Sequence, residues 1–186
     1  MTTLLPLSPS PFVLPEDRDM LPSERREFVR SHRTCIFGYS RRSDGPAMSV
    51  VYYVPTTDDE LLIATMAGRA KAKAVTRSGK VSLCVLNEHW PVGYLQVYCD
   101  AVVDRDRNST VDVMMAVGGR MSGTEVDPAA RPLVEAMADE EDRILLRCRP
   151  YATFATPPRH LHDNDDTSNM THWISGSVAW DATDPA

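Results

Sequence analysis

Residues 61–86, LLIATMAGRAKAKAVTRSGKVSLCVL, carry the pattern that decides the fold. An apolar run ending at Thr65 reads as a strand, and Gly68 marks a turn. A helix of one or two turns follows, Ser78 and Gly79 break it, and a second strand starts at Lys80. Arg69, Lys71, Lys73, Arg77 and Lys80 place five cations on this segment with no acid between them. In a chain of formal net charge −6, that is a local anion site. Backbone N–H groups at a helix start, flanked by Arg and Lys, form a cradle for phosphate.

Working outward, the 186 residues are 42% hydrophobic and 25% charged, which suits one globular domain with a sizeable core. The expected division is an extended arm over residues 1–22, a domain over 23–155 and a tail over 156–186. The arm holds five prolines and little periodicity, and the tail turns to Pro, His, Asp, Asn, Ser and Thr, with Trp173 and Trp180 as anchors. The acidic balance excludes a general nucleic-acid binder, so the basic segment serves a small anion. Cys35, Cys84, Cys99 and Cys148 form no CxxC pair and sit in apolar stretches, which reads as reduced, mostly buried thiols in a cytoplasmic protein. No basic n-region opens the chain and no apolar run is long enough to span a membrane, so no membrane partner is expected.

Upstream, residues 22–24 start a helix with Ser23 as its cap and Arg25, Arg26 and Glu27 on the solvated side. TCIFGYS (34–40) and MSVVYYV (48–54) form a β-hairpin around Ser43-Asp44-Gly45-Pro46. Downstream, the nearly continuous apolar run over residues 80–86 predicts a strand buried on both faces. A loop containing His89, Trp90 and Pro91 leads to its antiparallel neighbour over 94–103. Ser109 caps a helix with Val113, Met114, Val117 and Met121 on its apolar stripe. Asp127-Pro128 starts another, with Leu133, Val134, Met137 and Ala138 inward. Residues 143–155 close the domain as a strand in which Pro150 implies an edge position or a bulge. The order predicts a mainly β (α+β) domain, a six-stranded antiparallel barrel with flanking helices.

MSVVYYV, ATMAGRAK and the re-entry from Arg77 to Leu83 resemble the flavin/deazaflavin oxidoreductase superfamily, the pyridoxamine 5′-phosphate oxidase-like FMN-binding split β-barrels. The resemblance runs over residues 23–155 in element order. It implies that Thr65, Arg69 and Lys71 hold a cofactor phosphate while Ser49, Val50, Val51 and Tyr52 lie along the ring. It also implies a homodimer with cofactor sites at the subunit interface. GRAK replaces the adjacent Arg-Lys of the oxidase proper, and this, with the additional cations, favours the deazaflavin F420 over FMN.

His89 and Trp90 are candidates to line a substrate pocket, Trp90 offering a stacking face. His160 and His162 stand in a polar tail without a third partner, and no metal site is expected. There is no GxSxG, HExxH or Walker loop, so no catalytic residue is assigned and the cofactor carries the chemistry. The resulting expectation is an oxidoreductase moving hydride between F420 or a flavin and a small conjugated organic substrate. An FMN-dependent enzyme like the oxidase, or a non-catalytic flavin-, haem- or deazaflavin-binding protein, is the alternative.

Overall fold

A single strand closes the barrel by changing partners halfway. In the computed structural model, which describes residues 2–6, 12–15, 18–87, 93–156 and 176–185, the chain runs α1 (Pro22–Ser31), β1 (Thr34–Tyr39), β2 (Ala47–Tyr52), β3 (Val54–Pro55) and β4 (Leu61–Met66). It continues through α2 (Ala70–Ser78), β5 (Lys80–Leu86), β6 (Tyr94–Asp104), α3 (Arg107–Ser122), a 3-10 turn at Pro128–Ala130, α4 (Arg131–Glu140), β7 (Arg143–Thr156) and β8 (Ser177–Ala179). The sheet order is β2-β1-β5-β6-β7-β4-β3, all antiparallel, with β8 on β7. Only Tyr53 separates β2, paired to β1, from β3, paired to β4. The two ends of the sheet are therefore one stretch of chain, and the architecture is a split β-barrel. The fully buried Tyr53 donates its hydroxyl to the Val29 carbonyl at 2.5 Å and its N–H to Arg33 O at 3.2 Å, so the end of α1 fixes the crossing.

The six long strands are those expected from the sequence, and β3 and β8 are short additions. Period-2 alternation sends Phe37, Leu83, Val85, Leu95, Val97, Ile63 and Leu146 into the main core. A smaller cluster of Val54, Leu62, Val113 and Leu145 seats α3 on the sheet. The alanines of α2 favour helix and are small enough for Ala72, Ala74 and Val75 to bury, leaving its cations to project on either side. Gly79 ends α2 in the left-handed region at φ 62°, donating to Val75 O at 2.9 Å, and turns the chain into β5.

Several local expectations are corrected. Within this chain β5 is buried on one face only, its residues alternating between core and a more open outer row. Arg25 is 2% exposed rather than solvated: its guanidinium reaches Asp19 Oδ2 at 2.8 Å and Thr153 Oγ1 at 3.1 Å, and those partners make its burial tolerable. Ser23 is inside α1, and Glu24 accepts from Leu21 N–H at the helix start. Asp106, not Ser109, caps α3, accepting from Ser109 N–H at 2.7 Å. Met121, Leu133 and Met137 are exposed because α3 and α4 pack through fewer apolar positions than the stripes suggest. Pro150 lies in a central strand: the β6–β7 register slips there, leaving Tyr151 without a partner on β6, which is the bulge alternative. Beyond it β4 no longer accompanies β7, and β8 takes the vacated side at residues 152–154. Trp180 is buried, an anchor as expected, whereas Trp173 falls outside the described residues.

Candidate functional site

The C-terminal end of β4 delivers the chain to the start of α2, and the cleft beside that junction, about 610 Å³, is lined by Tyr39, Ser49, Thr65, Arg69, Lys71 and Arg143, among others. Its size falls within the about 300–1,000 Å³ usual for small-molecule sites. Four of the seven residues expected to hold a cofactor thus converge. The other three do not line it. Val50 is 72% exposed on the opposite face of β2, Tyr52 shares that face by strand alternation, and Val51 packs against the core.

The electrostatics single out Lys71 and Arg69. Arg143 is paired with Glu141 at 2.5 Å, so its charge is already balanced. Lys71 and Arg69 have no carboxylate partner among the described residues; Arg69 Nε donates to Met66 Sδ at 3.3 Å, and Lys71 Nζ stands 5.9 Å from the centre of the Phe37 ring. Burial, and then the neighbouring Arg69 charge, push Lys71 below the ordinary lysine range. An anion placed here would relieve both penalties. The start of α2 adds backbone N–H groups with no side-chain cap at Arg69. Ser49 Oγ is buried without a hydrogen-bond partner among the described residues, on the same inward side of β2 that faces Phe37 on β1. A buried hydroxyl left unpaired costs stability unless a ligand completes it. Cationic groups without counterions and an orphaned hydroxyl fit a bound ring with an anionic arm.

The other cations separate from this set. Lys73 and Arg77 line a second cleft on the far side of α2, and Lys80 pairs with Asp100 and lies 4.5 Å from the centre of the Tyr151 ring. His89 and Trp90 lie outside the described residues, as do His160 and His162; the base of the loop carrying the first two is held by Asn87 N–H donating to Gly93 O at 2.8 Å. Cys35, Cys99 and Cys148 are buried and Cys84 half-buried, and burial pushes the Cys148 thiol up to about 12, far from a reactive thiolate. Among the described residues no group of His, Cys, Asp and Glu could hold a metal ion, and no helix is long and apolar enough to cross a membrane.

Tyr39, Glu141 and Arg143 were not anticipated. Arg143 reaches the cleft because Met66 on β4 pairs with it across the sheet, a register that no local motif announces.

The fold is shared with solved structures. Over 83% of this chain and 99% of the other, it superposes on a conserved hypothetical protein of Mycobacterium tuberculosis with a TM-score of 0.66 and 20% identity. An F420 reductase aligns at TM-score 0.51 and 18% identity over 65% of this chain and 88% of its own. A haem-binding protein of Mycobacterium smegmatis aligns at TM-score 0.57 and 12% identity over 88% of this chain and 59% of its own. At these identities the likeness speaks to fold. No curated protein matches the sequence significantly. The family model described as pyridoxamine 5′-phosphate oxidase matches residues 21–156, most of the chain and every long strand of the barrel, and on that match the chain belongs to the pyridoxamine 5′-phosphate oxidase family.

Proposed function

We propose that the cleft at the β4–α2 junction holds a ring cofactor with an anionic arm, a deazaflavin of the F420 type or, second, FMN, and that the protein is an oxidoreductase acting on a small conjugated organic substrate. The observation that carries this reading is the joint placement in one cleft of Lys71 and Ser49 Oγ, the first without a counterion and the second without a partner among the described residues. When bound, the ring would supply hydride transfer. Lys71 and Arg69 would hold the arm by charge-assisted hydrogen bonds, with Thr65 beside them. Ser49 would donate to the ring or its chain from β2. The surrounding strands would keep the ring's orientation fixed, because hydride transfer depends on contact distance. The presence of an F420 reductase among the structural neighbours, together with the GRAK spacing, supports the deazaflavin first.

A homodimer is part of the same reading. Met48 and Val50 are each 72% exposed, and Val50 continues across the register into Ile36 and Cys84 on the outer face of the sheet. An exposed apolar row of this kind suits burial against a second copy. Sedimentation at micromolar concentration should show a dimer, and a clean monomer would remove the shared site.

The decisive experiment is equilibrium binding of FMN and F420 side by side, followed by a reduction assay. A preference of about tenfold, worth about 1.4 kcal/mol, identifies the cofactor. Binding without turnover would leave a carrier or sensor, and failure to bind either would reject the proposal.

A further inference from the structure

The second cleft, about 880 Å³, lies across α2 from the first, and Tyr39 and Ala70 line both. Its two kinds of lining residue separate by depth. Ala72, Ala74 and Ile144 are buried at its floor, with Ala67 and Val103 half-buried beside them. Arg41, Arg42, Lys73, Arg77 and Arg105 are exposed around it, with Asp44 as the only acidic lining residue among the described residues.

Not all of this charge is available. Arg41 pairs with Asp44 at 2.6 Å, Arg105 lies 3.8 Å from Asp142, and Arg77 donates to Ser40 O at 2.5 Å, tying the β1–β2 loop to α2. The side chains of Lys73 and Arg42 have no ion pair or hydrogen bond among the described residues. They come from different elements, Lys73 from α2 and Arg42 from the β1–β2 loop. An apolar floor beneath two uncommitted cations does not suit a bare inorganic anion, which would leave the floor dry and unfilled. It does not suit a neutral hydrocarbon either, which would leave the cations unanswered.

We propose that this second cleft binds a small amphipathic organic anion, an aryl or short acyl carboxylate or phosphate ester, whose apolar body lies on the Ala72, Ala74 and Ile144 floor and whose charged group sits between Lys73 and Arg42. The claim stands independently of which ring, if any, fills the first cleft, because the two clefts use different cations. The shared wall of Tyr39 and Ala70 sets this ligand beside the first cleft, so it is also a position for an acidic substrate.

The test is calorimetric titration of the full-length protein with three probes: 2-naphthoate, its neutral relative 2-naphthalenemethanol, and inorganic phosphate. The expected result is that 2-naphthoate binds at least about tenfold tighter than either of the others. Lys73→Ala and Arg42→Ala should each weaken it by about tenfold, as loss of a charge-assisted contact would. Lys71→Ala should change it by less than about threefold, since its charge acts only through screened solvent. All three side chains lack ion pairs among the described residues, so their variants should fold, and thermal melts verify that. Equal binding of phosphate would make this a plain anion site, and equal binding of 2-naphthalenemethanol a plain apolar one. Either overturns the proposal, as does loss on Lys71→Ala with Lys73→Ala silent, or no saturation with 2-naphthoate at about millimolar concentration, the weakest affinity a specific site would show.

Discussion

Lys71→Ala and Lys73→Ala remove the same charge two residues apart, yet their effects on FMN binding should differ by about an order of magnitude or more. Lys71 is half-buried and lines the first cleft, whereas Lys73 is exposed on the second. Losing a hydrogen bond to a charged phosphate costs about 1.5–3 kcal/mol, roughly a 10- to 150-fold rise in Kd. Lys73 acts from the far side of a helix about 10–12 Å across, where two unit charges in water interact by about 0.4 kcal/mol before screening. At about 0.15 M salt that is less than about a twofold effect. Titration of FMN fluorescence against each variant, repeated at high salt, measures both. The Lys71 contribution should survive salt and also show in the pH profile. Because burial holds Lys71 below the ordinary lysine range, affinity should be full below its pKa and fall as pH rises through it, earlier than for an exposed lysine. Lys71→Arg should remove that falling limb. Equal losses in the two alanine variants, or a Lys71 effect that vanishes in salt, would refute the geometry.

Ser49→Ala should weaken cofactor binding by about 2- to 13-fold, the worth of one neutral hydrogen bond, while the ligand-free melting temperature stays level or rises, because an unpaired buried hydroxyl is removed. A clear drop in that melting temperature would show that the hydroxyl has a protein partner after all. For Glu60, burial pushes the carboxyl up, but hydrogen bonds from Arg149 and Arg147, each at 2.6 Å, outweigh this and hold it below the usual range. Its stabilisation is therefore present above the unfolded pKa and lost as pH falls through the folded one. Glu60→Gln should cost about 1.5–3 kcal/mol at neutral pH, and the difference from wild type should shrink in acid. Denaturant titrations across that range check it, and a gap that persists at the acid end counts against the assignment. Gly79→Ala should lower stability by about 1–2 kcal/mol, since an L-residue must then hold φ 62°, and a melt unchanged from wild type would show that the turn can be rebuilt.

The strands and the basic helix were legible because each rests on a local pattern: alternation in β1 and β2, the alanine-rich run in α2, and glycine at a left-handed cap. The cleft was half legible for the same reason. Thr65, Arg69 and Lys71 sit within one short turn, so naming the turn names them. Arg143 and Glu141 are far along the chain and meet that turn only through the β4–β7 register, which depends on how every strand pairs. Ser49 was anticipated as part of a four-residue run, but a strand shows only alternate residues to one side, so Val50 and Tyr52 could not share its position. The burial of Arg25 was hidden because its partners, Asp19 and Thr153, come from the arm and the last long strand. The partner change at Tyr53 leaves no trace in a continuous apolar run.

The displacement of β4 by β8 along β7 has a consequence for solubility. Residues 152–154 of β7 would otherwise present a row of open backbone donors and acceptors in an apolar strand, the kind of surface that recruits strands from neighbouring molecules. Three residues near the C-terminus occupy that row, pinned by the buried Trp180, by Arg26 donating to Trp180 O and Ala182 O at 2.8 and 2.9 Å, and by Asp184 accepting from Ser23 Oγ at 2.6 Å. The C-terminal segment thus covers a strand edge, and a chain cut before Ser177 should aggregate more readily than the full chain, which light scattering on the two checks.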